Sequence, residues 1–291
     1  MIEAKIIKDS LAPSGIRLTT WVLTYPRMIH SEFMTHRVFS RNASSSRAIP
    51  VKKQIQEVID NPFIPLAFTR NKRGMQGGEA LDEQSHDKAV KAWLEGRDRA
   101  VEVAQKLADL EVHKQYANRV LEPYAHISVV VTATDFTNFF ALRNHHMAQP
   151  EIQLLAQKML TEYISSIPES LKDGQWHLPF VSSLEVKQAE SSPNRDDAIY
   201  SLIVSSVARC ARVSYKKHDG TDASPQEDLD LFNRLLGAYP KHSSPAEHQA
   251  MAVGDPSVVS GNFRGWIQYR KTIKNENITK MPVKIDGDFW S

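Results

Sequence analysis

The sequence predicts an α+β fold, a sheet carrying two apolar strands with long helices packed on it. Three observations point there. IRLTTWVLTYP, residues 16–26, alternates well enough to be a strand. HISVVVTAT, from His126 to Thr134, is β-branched and apolar at successive positions, the pattern of a strand buried on both faces. Between them, from Leu81 to Leu121, Ala89, Trp93, Ala100, Ala104, Leu107, Leu110 and Ala117 recur at threes and fours among charges, which makes one long helix or two. With 291 residues, 41% of them hydrophobic, the chain can bury a substantial core. It reads as one unit over 1–291, with lobes at 1–185 and 195–291.

The remaining elements follow in order. Pro26 closes the first strand and delivers the chain to MIHSEFMTHRVFS, where Met28, Ile29, Phe33, Met34 and Val38 suggest a buried helical stripe. NPFIPLAFTRNKRGMQGGEA reads as a loop over a site or a subunit contact. DFTNFFALRNHH is a helix that Thr134 or Asp135 caps, and Pro150 opens the next one, EIQLLAQKMLTEYISSI, because a first turn needs no amide donor there. KQAESSPNRDD reads as a polar surface connection. IYSLIVSSVARCARVSY and PQEDLDLFNRLLGAY are further helices, followed by KHSSPAEHQAMA and FRGWIQYRK.

Composition excludes several classes. Thirty-six basic against 34 acidic side chains is far from the density of a nucleic-acid coat, so no nucleic-acid partner is expected and a small anionic ligand suits the chain better. The single cysteine, Cys210, sits among small apolar residues and reads as packing; it allows neither an intrachain disulfide nor a Cys-X-X-Cys motif, which fits a reducing cytosol. No window of about 20 apolar residues offers a membrane span, and the N-terminus has no apolar stretch behind a basic start. A soluble, cytoplasmic protein is the expectation. His145 and His146 are adjacent, so on a helix they point about 100° apart, and no His-Glu-X-X-His spacing exists; no metal is expected. A glycine fingerprint after a strand and a Gly-Lys-Ser/Thr loop are also missing, so any nucleotide is held by side chains and helix ends.

The chemistry concentrates in THRVFSRNASSSRAIP, Thr35 to Pro50, which sets His36, Arg37, Arg41 and Arg47 among Ser40, Asn42, Ser44, Ser45 and Ser46. That is an anion cradle: guanidinium forks bind phosphate oxygens, and short polar side chains add hydrogen bonds without filling the space. From Arg27 to Lys53 there are six Arg or Lys and one acid, Glu32. Three more clusters stand out: Arg119 in NRVLEPY, LRNHHMAQPEI with Arg143 and Gln149, and HSSPAEHQ with His242 and His248. For Arg143 the residues alone leave open a pocket edge or a snorkelling surface arginine.

These residues resemble the flavin-dependent thymidylate synthases. His36, Arg37, Ser45 and Arg47 match in spacing the family motif of Arg-His-Arg, seven residues, then Ser-X-Arg. FFALRNHHMAQPEI is similar to its second helix, placing Arg143, Gln149 and Glu151 on matching positions; NRVLEPY, ARVSY and HSSPAEH resemble further elements. The order differs, because ARVSY and HSSPAEH follow the motif here and precede it in the usual chain, as in a circular permutation or a viral, bacteriophage-type variant, whose place would be the host cytoplasm. The resemblance implies a thymidylate-synthase-complementing-protein-like fold. It also implies reductive methylation of dUMP to dTMP with methylenetetrahydrofolate, FAD and NADPH, at sites where the subunits of a homotetramer meet. It places Ser45, Arg47, Arg119 and Arg143 on dUMP, with Arg143 as the catalytic residue at the pyrimidine edge. His36, Arg37, Val38, Asn138 and His248 fall on the FAD or folate side.

Two positions depart from the family pattern: its first motif arginine is Thr35 here, and a glutamate is Ala43. Gln268 and Arg270 in FRGWIQYRK are candidates for replacement contacts. Hydroxymethylation of dUMP or a related pyrimidine nucleotide is an alternative of the same class. A nucleotide- or nucleic-acid-binding protein without catalysis is an alternative of another.

Overall fold

The computed structural model describes residues 1–215 and 220–279. Its main sheet runs in the order β3-β4-β2-β1-β5. β1 (Glu3–Leu11) and β2 (Arg17–Pro26) form an antiparallel hairpin whose turn uses Gly15 at φ 78°, a conformation that costs glycine little. A 3₁₀ turn (Arg27–Ile29) and α1 (His30–Phe33) lead to β3 (Ser40–Ala43). Next come α2 (Val51–Asp60), α3 (Glu83–Asp109), α4 (Lys114–Ala117), a 3₁₀ turn over Asn118–Tyr124, and β4 (His126–Ala133). α5 (Thr137–Arg143) and α6 (Pro150–Ser165) precede two short strands, β5 (Glu169–Ser170) and β6 (Trp176–His177). The last third holds α7 (Ser183–Glu190), α8 (Arg195–Arg212), α9 (Pro225–Leu236) and a 3₁₀ turn over Ser244–Glu247. The strands β7 (Ala250–Ala252), β8 (Val259–Ser260), β9 (Phe263–Arg264) and β10 (Trp266–Gln268) follow. β10, β7 and β6 make a second sheet.

β4 organises the molecule, as its unbroken apolar run requires. It pairs with β2 from Thr19↔Ala133 to Pro26↔His126 and with β3 from Ser40↔Thr132 to Ala43↔Val129. Ile127, Val129, Val131 and Ala133 face a core built with Trp21, Tyr25, Phe33, Phe39, Phe136, Phe139 and the inner side of α6. Val130 points the other way, onto Phe180, Cys210 and Val213. The Cys210 thiol is fully buried, which pushes its pKa up, so it packs and stays protonated.

The second face also carries a polar seam. Thr20 and Thr132, direct partners across β2 and β4, share a 2.7 Å hydrogen bond. Thr20 further contacts His177 Nε2 at 2.7 Å, His177 Nδ1 meets Ser10 at 2.9 Å, and Thr132 meets His248 Nδ1 at 2.8 Å. All five side chains are buried, so the bonds satisfy groups that water cannot reach.

Several expectations need correction. β1 and α2 were not foreseen. Ile29 and Phe33 are buried as expected, but Met28, Met34 and Val38 are exposed, because α1 is one turn long and cannot sustain a stripe. The long helix ends at Asp109, where Glu111 turns the chain with a left-handed φ of 57°, and only short helical turns follow. KQAE of the proposed connection is the end of α7, which starts with a capping box between Ser182 and Glu185. Phe136 is the cap position of α5, while Asp135 accepts a 2.8 Å bond from the Thr137 amide.

Thr132→Val keeps the shape of the strand but strands His248 Nδ1. Urea unfolding should show a loss of about 1–3 kcal/mol, and an unchanged midpoint would mean that the seam contributes nothing.

Candidate functional site

Pro26 lies opposite His126 and Ser40 opposite Thr132, so residues 27–39 carry the chain most of the way along β4. Three buried rings hold this excursion down. Phe33 packs on Phe39 and Phe139 with centroids 5.7 and 5.6 Å apart, and Phe39 on Phe139 at 5.5 Å. His36 meets the edge of Phe139 at 4.9 Å. Arg143 sits four residues beyond Phe139 on α5 and therefore on the same face.

Arg143 is the hub. Its Nε donates to His36 Nε2 at 2.9 Å, its Nη1 is ion-paired and hydrogen-bonded to Glu32, and its Nη2 makes a longer 3.4 Å contact with Thr35 Oγ1. Burial, with the Arg143 and Arg41 charges beside it, pushes His36 down to about 4. The imidazole is thus neutral at physiological pH and offers Nε2 as an acceptor. Thr35, where the family pattern has arginine, also donates to Glu32 O at 2.7 Å and closes α1.

Arg143 and Glu32 line a cavity of about 910 Å³ together with His145, His146, Gln149 and Glu151. Its opposite wall is the 61–80 loop, contributing Pro65, Ala67, Thr69 and Met75 to Gly77. Glu151 fixes that wall: buried in the first turn of α6, it accepts 2.9 Å bonds from the Leu66 amide and from Gln149 Nε2. His145 and His146 lie ring against ring at 4.3 Å. Among the described residues no group of three or more His, Cys, Asp or Glu could hold a metal ion.

Much of the expected anion cradle is used internally. Arg41 donates to Met34 O and His36 O at 2.8 and 3.0 Å and so ties the motif turn. Ser40 is buried in β3, and Ser46 donates to Glu122 at 3.2 Å. Ser44 Oγ accepts from the Ser128 amide at 3.2 Å. Strand pairing turns these side chains toward the protein, a consequence invisible in composition. Arg37, Ser45 and Arg47 remain exposed, and neither guanidinium has a hydrogen-bond or ion-pair partner among the described residues. Arg119 is exposed beside Glu122 at 2.8 Å. Asn138 is exposed in the first turn of α5 and Val38 on the motif turn. Ser44 and Ser46, flanking Ser45, line a small recess with Arg27 and Asn118, apart from the cavity that Arg143 lines.

His248 is fully buried in the seam, which holds its pKa at about 3, and its Nε2 has no partner among the described residues. Gln268 is buried and donates to Ser40 Oγ and Glu247 O, and Arg270 pairs with Glu247 and Glu276. Both candidates for replacement contacts therefore have internal partners. Ala43 ends β3 packed against the main core. Asn42 is the connection that sequence reasoning missed, since it looked like another cradle residue. Its Nδ2 donates to Cys210 O at 3.0 Å and to Ala211 O at 3.4 Å, and its Oδ1 accepts from Ser244 Oγ at 3.1 Å, so ARVSY and HSSPAEH converge on the motif strand. A second cavity of about 720 Å³ lies beside this junction, lined by Ser44, Lys53, Glu57, His126, Arg212 and Ser214 among others. Arg212 is anchored there on the fully buried Asp228.

A model of the thymidylate synthase complementing protein family matches residues 17–169, more than half of the chain. The chain belongs to this family. The matched span contains the motif and Arg119, Asn138 and Arg143, whereas ARVSY and HSSPAEH lie beyond it, in keeping with their altered order. Among solved structures, the chain is similar to the UMP/dUMP methylase PolB from Streptomyces cacaoi bound with 5-Br UMP, at 17% identity and a TM-score of 0.46, over 56% of this chain and 88% of that one. The same methylase bound with 5-Br dUMP gives 18% identity and a TM-score of 0.47, over 56% and 90%. No curated protein matches the chain.

The depressed histidines make stability pH-dependent. An unfolded histidine takes up its proton near pH 6.5, whereas folded His248 resists until about 3. The unfolded state therefore binds more protons over that window, and this contribution is complete above pH 6.5 and lost as pH falls. Between pH 6.5 and 4 it amounts to on the order of 3 kcal/mol. Urea midpoints of wild type and His248→Gln across this range should converge as the solution is acidified; parallel curves would contradict the assignment.

Proposed function

We propose that the chain is a flavin-dependent thymidylate synthase that reductively methylates dUMP to dTMP, using methylenetetrahydrofolate as carbon donor, NADPH as reductant and FAD. The observation that carries this reading is the Arg143 guanidinium, oriented by neutral His36 and by Glu32 at the wall of a cavity large enough for a nucleotide, within the segment that matches the family. Methylation at C5 of uracil requires that carbon to become nucleophilic, which shifts negative charge onto the ring carbonyl at C4. A guanidinium already fixed in place stabilises that charge without reorganising as the reaction proceeds. His36 keeps the geometry without adding a second positive charge.

The phosphate of dUMP suits Ser45, Arg47 and Arg119. Arg47 is unpaired among the described residues, and Arg119 is exposed, while its partner Glu122 keeps Arg27 and Ser46 if Arg119 turns to the phosphate. The donor set also fits a flavin dinucleotide: Arg37 offers an unpaired guanidinium to a diphosphate, Asn138 an exposed amide, and Val38 an exposed apolar surface. When bound, the flavin supplies hydride transfer, and this chain supplies positioning and electrostatics. His248, buried in the seam, supports the sheet in this reading. Because Ser45 and Arg47 stand apart from the cavity that Arg143 lines, a nucleotide touching all three is held between copies of the chain, as a homotetramer allows.

The first test is an absorbance spectrum of the protein with FAD, before and after dUMP. A bound-flavin band near about 450 nm that shifts with dUMP is expected, and absence of flavin binding even with dUMP present would reject the synthase. In the turnover assay with NADPH and methylenetetrahydrofolate, Arg143→Ala should lose about 10²-fold or more. Unchanged turnover would remove Arg143 from the chemistry, and product mass distinguishes a methyl from a hydroxymethyl group.

A further inference from the structure

We infer that Glu32 makes this site select uracil over cytosine, by fixing which hydrogen-bonding edge Arg143 presents to the cavity. The inference rests on the reading that the cavity takes dUMP.

A guanidinium has five N–H donors in a rigid plane and binds phosphate best through two parallel bonds. In this chain part of that fork is already committed. Nε donates to His36 and Nη1 to Glu32, while Nη2 has only the 3.4 Å contact with Thr35. The Arg143 side chain is 19% exposed, so a small part of it faces ligand. Its charge is balanced by the Glu32 carboxylate, and His36 adds none. A phosphate arriving here would have to displace Glu32 and lose the attraction of an uncompensated cation. With the charge already balanced, two parallel bonds to an anion are therefore disfavoured, and the N–H groups left on Nη2 and Nη1 suit a neutral acceptor.

Pyrimidine chemistry then decides the selection. The C4 substituent of uracil is a carbonyl, an acceptor that Nη2 satisfies. In cytosine it is an amino group, whose N–H would face the N–H of Arg143 and leave two donors unpaired in a confined site. The discrimination holds only while Arg143 cannot rotate. Glu32 is the one acid in the basic stretch from Arg27 to Lys53, and the structure places it against the arginine that the cradle does not use for phosphate. It acts through Arg143 and is a positioning residue.

The test is calorimetric titration of the purified full-length protein with dUMP, dCMP and inorganic phosphate, for wild type, Glu32→Ala and Glu32→Asp. Wild type should bind dUMP at least about tenfold more tightly than dCMP. Glu32→Ala should bring the ratio close to one, chiefly by weakening dUMP, and should bind inorganic phosphate more tightly because the guanidinium is released. Glu32→Asp should retain most of the preference. If Glu32→Ala fails to fold, Glu32→Gln carries the same comparison, with a reduced ratio and a gain in phosphate affinity expected. Parallel weakening of both nucleotides, with the ratio preserved, would show a merely structural role and overturn the inference while leaving the synthase reading intact. Failure of the wild-type protein to bind dUMP would overturn both.

Discussion

Burial of Phe33, Phe39 and Phe139 is the constraint on which the site depends. The rings come from α1, from the end of the motif turn and from α5, and each is at most 1% exposed. Large apolar side chains of this kind each gain a few kcal/mol on burial, whereas the exposed part of an ion pair is worth much less. Packing therefore sets where Arg143 stands, and the polar contacts only refine its direction. This explains how a short helix and an irregular turn can present a guanidinium in a fixed orientation without a long regular element beneath them.

The same economy governs the two faces of β4. One face carries the aromatic core and the other the seam of Thr20, Thr132, His177 and His248, so the N-terminal elements and the last third of the chain share one strand pair as their common wall. ARVSY and HSSPAEH, although they come late in the sequence, both reach β3 through Asn42. A fold held by a shared sheet tolerates reordering better than one held by sequential neighbours.

The α+β class, both apolar strands and the α5–α6 pair were legible in the sequence, since each rests on a local pattern of apolar residues or turn formers. For Arg143 the sequence left open a pocket edge or a snorkelling surface arginine, and its place at the cavity wall comes from the structure. What the sequence could not convey was direction. Arg37, Arg41 and Arg47 look alike in the motif, yet strand pairing points Arg41 at backbone carbonyls and leaves the other two without a partner among the described residues. Glu32 read as an isolated acid because its partner lies 111 residues away. His248 sits beside a proline turn in sequence and inside a buried seam in space. Such outcomes depend on long-range pairing, for which no short window carries a signal.

Asn42 bonds to partners 168 and 202 residues further along the chain. Contacts of this span close very large loops, and the entropy lost in closing them precedes any gain, so they form late in folding. During synthesis from the N-terminus, the motif strand exists long before its C-terminal partners have been made. Completion of the motif thereby reports that nearly the whole chain has been translated and folded, so a truncated product carries the motif arginines without the framework that holds them.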